Sequence, residues 1–209
     1  MYIPAYYRQE NQEELAEFIR SYPFGMIISA CDNVPVVTHI PFELMMEEGI
    51  PVLLGHISAA NPQKSQLSEG AVLAVFTGPH TYISAALYDH PNVSTWNYTA
   101  VHVQGTVSEQ QPDELRWHLL RMMQQYDHGK PTADLQHLPQ GMFEKMQSGV
   151  YGFRIRIDKM EGAWKLSQNR NDADFLTVTQ SLLNSTAHED VAVGNLMKAL
   201  RPHLFNPEK

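Results

Sequence analysis

Cysteine is almost absent from this chain of 209 residues, since Cys31 is its only one. An intramolecular disulfide therefore cannot form, and zinc sites built from several cysteines are excluded. Cys31 ends an apolar run that begins at Met26. We therefore predict that Cys31 is a small buried residue and not a nucleophile.

The chain also lacks long hydrophobic runs. No stretch approaches the ~18 consecutive apolar residues that a membrane-spanning helix requires. The first residues, Met1 to Pro4, show no positive region followed by an apolar segment. The sequence thus predicts no signal peptide, no membrane span and a cytoplasmic location.

Positive charge is sparse and scattered. The chain has 15 lysines and arginines against 23 acidic residues, which gives a formal net charge of -8. An acidic surface repels phosphate backbones, and neither a dense basic patch nor a helix-turn-helix pattern compensates for this repulsion. Direct binding to nucleic acid is therefore not expected.

The motifs of several large enzyme classes are missing as well. The sequence contains no Gly-x-Ser-x-Gly elbow, no phosphate-binding P-loop, no Gly-x-Gly-x-x-Gly after a strand and no His-Glu-x-x-His. No residue stands out as a catalytic acid or base, so we name no catalytic residue.

The ten histidines are dispersed, without the tight helical spacing of a metal site, so we predict no bound metal. Three of them are predicted to lie on the surface: His118, His128 and His203. Three others lie within apolar strands and are candidates for a binding site: His39, His56 and His102. For each of these three, a structural histidine remains the commoner alternative.

Hydrophobic periodicity predicts a mainly β protein with some helices. The predicted strands cover 24–31, 34–42, 51–57, 71–76, 81–84, 93–107 and 150–157. The predicted helices run from Asn11 to Pro23, from 62 to about 67, from Pro112 to about 128, over 143–146, and over the terminal segments 172–183 and 191–200. Turns are predicted at 32–33, 47–49, 78–80 and 159–162, and a loop at 130–141.

The first three strands are joined by tight turns and predict an antiparallel meander. With few helices between the strands, the pattern favours a closed or nearly closed antiparallel barrel that carries its helices on the outside. No internal repeat or linker divides the chain, so a single domain is expected over residues 1–209.

One strand carries more polar and aromatic groups than packing requires, in the run Thr95-Trp96-Asn97-Tyr98. Such a mixture suits a flat, partly polar ligand, although an ordinary strand with a polar face explains this run about equally well. Four polar groups remain unexplained by packing: Thr38-His39, His56 to Gln63, Thr95 to Thr99, and Lys165 to Arg170. Together they could hold a planar heterocycle and a phosphate.

The segments Gly55–Gln63, Gly78–Ser84, Thr95–Gly105 and Lys165–Arg170 resemble the PaiB family, as does the start Met1-Tyr2-Ile3-Pro4. The resemblance implies an FMN-binding split barrel, related to pyridoxamine-phosphate oxidases and flavin reductases, with peripheral helices that include 172–200. It also implies a homodimer with two flavin sites at its interface. Members of the family are described as transcriptional regulators.

The resemblance also implies which residues bind FMN. Those beside the flavin ring are Thr38 and His39. Those near the ribityl chain and phosphate are His56, Ile57, Ser58, Asn61 and Gln63. The polar strand contributes Trp96, Asn97, Tyr98 and Thr99, and the segment that closes the site across the dimer contributes Lys165, Ser167, Gln168, Asn169 and Arg170. Because Lys64 is the only charge near the turn at 60–63, the phosphate would depend on backbone N–H groups or on Lys165 and Arg170 from the partner subunit.

Three functions follow as hypotheses. The first is a flavin-binding homodimer, either a flavin-dependent oxidoreductase or a flavin-linked transcriptional regulator. The second is a regulator that binds a small molecule and acts through a protein partner without catalysis. The third is a haem-binding split barrel, with His39, His56 or His102 as axial ligand.

Overall fold

The computed structural model describes residues 1–31, 33–67, 71–127 and 139–205. Its strands are β1 (Arg8–Gln9), β2 (Phe24–Cys31), β3 (Val34–Pro41), β4 (Glu43–Glu47), β5 (Ile50–Ser58), β6 (Ala71–Ile83), β7 (Thr95–Glu109) and β8 (Val150–Lys165). Its helices are α1 (Gln12–Ser21), α2 (Lys64–Leu67), α3 (Pro112–Tyr126), α4 (Met142–Gln147), α5 (Asp172–Leu183) and α6 (His188–Leu200). The predictions for the Cys31 side chain, Asp32, His128 and the loop residues 130–138 lie outside this description.

The strands form one sheet of eight strands in the order β3-β2-β6-β7-β8-β5-β4, with β1 on β8. Every pair of strands with a defined register is antiparallel, for example β2 with β3 and β5 with β8. Over the described residues the sheet is not closed. The predicted class, mainly antiparallel β with helices, is confirmed.

The predicted meander of the first three strands is wrong. β2 and β3 do form a hairpin, in which Ile27 lies opposite Thr38. The chain then bends at Phe42, whose N–H bonds to the carbonyl of Pro23, and continues as the short strand β4. β5 therefore pairs with β4 and β8 instead of β3.

Two predicted turns lie inside long strands. The turn at 78–80 falls within β6, and the turn at 159–162 falls within β8. Their glycines permit close packing: a Cβ on Gly78 would lie 2.7 Å from the ring of Phe18, and one on Gly162 would lie 2.3 Å from Leu15. These glycines therefore mark close approach of neighbouring side chains and not a reversal of the chain.

Helix α1 confirms a prediction made from its capping residue. Asn11 Oδ1 accepts hydrogen bonds from the backbone N–H groups of Glu13 at 2.9 Å and Glu14 at 3.3 Å. Leu15 and Ile19 are fully buried, as the apolar face of the helix predicts. The terminal helices are also present, and α6 begins at His188, three residues before its predicted start.

The chain forms two compact units. The first unit comprises Met1–Phe18, Phe76–His102 and the chain from Glu161 onward, and the second comprises Ile19–Val75 and Val103–Met160. The core of the first unit lies between α5, α6 and nearby strand ends, and its members include Ile83, Leu166, Phe175, Val178, Val193 and Met197. In the second unit the fully buried residues include Ile27, Leu53, Phe153 and Ile155.

Three long strands, β6, β7 and β8, contribute residues to both units. The single domain over residues 1–209 stays a prediction. None of the helices in the described residues is long and apolar enough to cross a membrane.

Candidate functional site

A buried hydrogen-bond network in the second unit is centred on Gln63, which has no exposed surface. Its Nε2 lies 3.2 Å from the carbonyl of Ile27, 3.1 Å from that of Val36 and 3.0 Å from Ser29 Oγ. Its Oε1 accepts a hydrogen bond from Thr38 Oγ1 at 2.5 Å. A single amide thus joins β2 and β3 to the segment that follows β5.

Asn61 extends this network toward the surface. Its Nδ2 donates to Thr38 Oγ1 at 3.1 Å, and its Oδ1 accepts from the backbone N–H of Gln63 at 2.9 Å. Thr38 and Asn61 are half-buried, so their polar atoms are held in fixed directions at the rim of the network. We call Ser29, Thr38, Asn61 and Gln63 the Gln63 network.

The neighbouring residues predicted for the same site lie elsewhere. His39 is exposed on the opposite face of β3, with its ring 6.4 Å from that of Phe24. Ile57 is buried in the core, and Ser58 is exposed, with its Oγ accepting from the backbone N–H of Ala60. The structure therefore groups Thr38 with Asn61 and Gln63 but not with these three residues.

His56 faces helix α3, where its ring lies 5.7 Å from the ring of His118. The predicted surface position of His118 is wrong, because this side chain is fully buried. Burial, together with the nearby His56 and Arg121, lowers the pKa of His118 to about 4. Burial also lowers the pKa of His56.

His118 lies on a polar face of α3. Glu114 pairs with Arg154 at 3.0 Å, and Arg121 donates to Glu43 at 2.8 Å. Residues 114, 118 and 121 lie on one side of a helix, so His118 is enclosed between two ion pairs. The spacing of these residues in the sequence indicates that they share one face of a helix. A polar face of a helix is ordinarily exposed to solvent, so the spacing alone did not predict that His118 is buried.

In the first unit, Asn97 and Ser167 form a buried pair. Asn97 Nδ2 donates to Ser167 Oγ at 3.0 Å, and Ser167 Oγ lies 3.2 Å from Asn97 Oδ1. Ser167 adopts a left-handed backbone with φ of 62°. Thr99 is also buried and donates to the carbonyl of Pro79 at 3.3 Å. Asn97 and Thr99 therefore use their side chains to hold strand β7 and the start of the loop after β8.

Two cations border that loop: Lys165 is the last residue of β8, and Arg170 lies in the loop before α5. Lys165 Nζ donates to Thr95 Oγ1 at 2.6 Å, and Arg170 stacks on Tyr88 with 4.6 Å from its guanidinium to the ring centre. Burial, and then the charge of Arg170, lower the pKa of Lys165. Within the described ranges, neither cation is paired with a carboxylate. Two partly buried like charges without a counterion form a suitable site for an anion.

The remaining polar residues of the loop fix its shape. Gln168 folds back on its own chain, with Oε1 accepting from the N–H of Leu166 at 2.7 Å and Nε2 donating to the carbonyl of Trp164 at 2.5 Å. Tyr7 donates to Asn169 Oδ1 at 3.0 Å. Burial, with the neighbouring Tyr6, raises the pKa of Tyr7, so its hydroxyl stays a donor. Sequence reasoning missed Tyr7, since nothing local indicates a contact 162 residues away.

A chain of hydrogen bonds reaches Arg170 from a group of possible metal ligands. Asp89, His90 and Asp174 bring one ligand atom each to within 4.8 Å of the others. His90 Nδ1, however, lies 2.8 Å from Asp89 Oδ1, and Asn92 Nδ2 lies 3.1 Å from His90 Nε2. Asn92 Oδ1 in turn accepts from Arg170 at 3.4 Å. Both ring nitrogens are used in hydrogen bonds, so the group is better described as a support for Arg170.

Trp96 belongs to an exposed aromatic cluster on β6 and β7. Its ring lies 6.1 Å from that of Tyr82 and 6.2 Å from that of His80. Just over half of the surface of Trp96 and of Tyr82 is exposed. Tyr98 is instead half-buried and packs against a small core formed by Ile3, Tyr7 and Ala163.

The donor set of the loop fits a phosphate-bearing cofactor. Lys165 and Arg170 supply the positive charge, and the structure holds both through neutral side chains. A family model described as "Putative FMN-binding domain" matches residues 1–159. The chain is also 34% identical to the Bacillus subtilis (strain 168) protein "Protease synthase and sporulation protein PAI 2" over 200 residues, which are 95% of this chain and 97% of the relative.

This chain belongs to the PaiB family of FMN-binding domains. The cofactor of the PaiB family is FMN. The match to the family model ends before Lys165, whereas the match to the Bacillus subtilis PaiB protein extends over nearly the whole chain.

Solved structures show the same fold. The FAD and heme binding protein from Mycobacterium smegmatis aligns with a TM-score of 0.61 and 19% identity, covering 81% of this chain and 78% of that one. The flavocytochrome Anf3 from Azotobacter vinelandii aligns with a TM-score of 0.58 and 14% identity, covering 78% of this chain and 72% of that one. The split barrel expected from the resemblance to the PaiB family is thereby confirmed.

Proposed function

We propose that this chain is an FMN-binding protein in which Lys165 and Arg170 hold the flavin phosphate. The observation that carries this proposal is the presence of two partly buried cations that no carboxylate among the described residues neutralises. Charge-assisted hydrogen bonds to phosphate are strong, and arginine can bind phosphate in a bidentate manner. When bound, FMN supplies the capacity for hydride and electron transfer.

The Gln63 network belongs to the second unit, and we propose that Thr38 and Asn61 of this network bind polar groups of a flavin. Thr38 donates to Gln63 and accepts from Asn61, so one lone pair of its hydroxyl remains for a ligand donor. Asn61 uses one side-chain N–H on Thr38, and the other has no acceptor within the described ranges. These two residues therefore offer an acceptor and a donor at fixed positions, as a ring with N–H and C=O groups requires.

The first test removes the two cations. We expect the Lys165→Ala/Arg170→Ala variant to bind FMN about 30-fold more weakly, because each lost charge-assisted hydrogen bond at a partly exposed site costs about 1 kcal/mol. Quenching of flavin fluorescence on titration with the protein measures the dissociation constant.

The matched control is Lys145→Ala/Arg156→Ala, which removes the same two charges from exposed positions. It should bind FMN with the affinity of the unmodified chain, since screening makes distant surface charges weak. Equal losses in both double variants would mean that net charge, and not this loop, governs binding, and the phosphate assignment would then be abandoned.

We further propose that the chain is a homodimer that uses the exposed cluster of His80, Tyr82 and Trp96. Exposed aromatic groups of this kind commonly anchor protein interfaces. We expect Trp96→Glu to raise the dissociation constant of the dimer about 30-fold in analytical ultracentrifugation, because an aromatic anchor contributes about 2 kcal/mol. Met146→Glu changes another exposed apolar residue and should leave assembly unchanged. A monomer at micromolar concentration for the unmodified chain would contradict the proposal.

Two uses of bound FMN are kept as hypotheses: flavin-dependent oxidoreduction and flavin-linked regulation through a protein partner. Anaerobic mixing of the FMN-loaded protein with a reduced nicotinamide distinguishes them, because only an oxidoreductase that accepts this donor bleaches the flavin band. The same visible spectrum tests the haem hypothesis, for which a Soret band would appear in place of flavin bands.

A further inference from the structure

Arg201, directly after helix α6, supports the loop that follows Lys165 and contains Arg170. Its Nη2 donates to the carbonyl of Gln168 at 2.8 Å, and its Nη1 donates to the carbonyl of Arg170 at 3.1 Å. Its guanidinium also lies 4.3 Å from the ring centre of Phe175. About four-fifths of its side-chain surface is buried.

These contacts fix the path of the backbone on either side of Asn169. A guanidinium presents its N–H groups in a rigid planar fork, so two carbonyls bound by one arginine are held at a set separation. The loop needs such support because Ser167 is left-handed, a conformation that is sterically unfavourable for a residue with a Cβ. Within the described ranges, Arg201 is the hydrogen-bond donor to the carbonyls of Gln168 and Arg170.

The anchor that Arg201 provides is itself rigid. Helix α6 is held in the core of the first unit by Val193 and Met197, both fully buried. Phe175 on α5, against which Arg201 stacks, is fully buried as well. The side chain of Arg201 therefore connects the helical core to the loop that contains Arg170.

The charge of Arg201 is already neutralised, which distinguishes it from the two site cations. Its Nη1 lies 2.8 Å from Asp172 Oδ1, and its remaining contacts are to backbone carbonyls and an aromatic ring. It is thus equipped to hold the loop and not to bind a second anion.

We propose that Arg201 is a positioning residue that sets Lys165 and Arg170 for the flavin phosphate. This inference rests on the proposed function of those two residues. It assigns a role in cofactor recognition to the C-terminal segment, which lies beyond the residues that the family model matches.

The test compares FMN with riboflavin, which has the same ring and ribityl chain but no phosphate. We measure both dissociation constants by fluorescence titration of the full chain and take the ratio of riboflavin to FMN. Arg201→Met keeps an unbranched apolar stem over Phe175 but loses the fork. We expect it to lower the ratio about 10-fold, in the range found when supporting residues of a binding site are removed. Riboflavin affinity itself should stay within about 2-fold of the unmodified chain.

Arg116→Met is the matched control, because Arg116 also stacks on a phenylalanine and pairs with a carboxylate but donates to no loop carbonyl of the described residues. Its ratio should equal that of the unmodified chain. Equal weakening of both flavins by Arg201→Met would indicate general damage and overturn the inference. If Arg201→Met does not fold, Arg201→Lys decides: it retains the charge without the fork, so a lowered ratio supports the inference and an unchanged ratio overturns it.

The double variant Lys165→Ala/Arg170→Ala distinguishes failure of the phosphate assignment from failure of the role of Arg201. If it abolishes the preference for FMN while Arg201→Met leaves that preference intact, the phosphate site stands and the role of Arg201 is wrong. If the double variant leaves the preference intact, the phosphate assignment fails and the role of Arg201 fails with it.

Discussion

Replacing Gln63 by methionine should lower the free energy of unfolding by about 4 kcal/mol, since each buried polar group that loses its partner costs about 1–3 kcal/mol. The substitution leaves two carbonyls and two hydroxyls of the Gln63 network without the amide that now joins them. Methionine has nearly the volume of glutamine, so the effect reports lost hydrogen bonds and not a cavity. Urea unfolding, with an unchanged dependence on denaturant, measures it.

Gln66→Met is the matched control three residues along the chain. Gln66 is half-buried, and its side-chain oxygen accepts one hydrogen bond, from Ser29 at 2.9 Å. Loss of this hydrogen bond should lower the free energy of unfolding by about 1 kcal/mol, as is typical of one partly exposed hydrogen bond. Similar losses for the two variants would show that water replaces the amide of Gln63 and that the network is not a structural centre.

The same substitution should reach the candidate site. The hydroxyl of Thr38 loses its acceptor, so its direction is no longer fixed. Asn61 keeps its hydrogen bonds to Thr38 and from the backbone N–H of residue 63. Gln63 itself is fully buried and its side chain contacts only protein groups. The sequence-based assignment of Gln63 to FMN binding stays a prediction, and its side-chain hydrogen bonds go to Ile27, Ser29, Val36 and Thr38.

Local pattern predicted much of this fold because local physics produces it. Alternating apolar residues define β8. Asn11 caps α1, as expected of a short polar side chain that precedes an amphipathic run. Glycine was ambiguous, because it occurs both at turns and where neighbouring groups approach a strand closely. At Gly78 and Gly162 a turn and a close approach require the same residue, and only the packing of Phe18 and Leu15 distinguishes them.

Contacts between distant segments could not be predicted from pattern. Arg201 and the carbonyl of Arg170 are 31 residues apart, and Tyr7 and Asn169 are 162 apart, so no periodicity connects them. The resemblance to a family identified Lys165 and Arg170 as candidates. What supports them depends on tertiary structure, which a resemblance in short motifs does not describe.

Acid should destabilise the protein through His118, and His118→Gln should remove that sensitivity. The pKa of His118 is about 4 in the folded chain, against an ordinary value of 6.5. Between these two values the unfolded chain binds the proton and the folded chain does not, so stability falls as the pH falls. From pH 7 to pH 4 this single group should cost about 3 kcal/mol, at about 1.4 kcal/mol for each tenfold change in proton affinity.

The groups around His118 explain why its protonation is resisted. Burial is the largest cause of its lowered pKa, followed by the charges of His56 on β5 and Arg121 on α3, and Gln110 Nε2 faces its Nδ1 at 3.3 Å. Three carboxylates of this unit pair with arginines: Glu43 on β4 accepts from Arg121 through Oε1, and Glu47 on β4 and Glu114 on α3 pair with Arg154 on β8. A charged His118 would therefore be buried beside carboxylates whose charges are already offset by arginines.

The experiment compares free energies of unfolding at pH 7 and pH 4 for three proteins. In His118→Gln the difference between the two pH values should be smaller than in the unmodified chain by about 3 kcal/mol, because glutamine does not titrate. His203→Gln is the control, since His203 is exposed and its removal should leave the difference unchanged. Carboxylates contribute equally to all three proteins and cancel in the comparison. If His118→Gln retained the full acid sensitivity, the buried histidine would be protonated in the folded state at little cost, and the polar face of α3 would have to be hydrated and open.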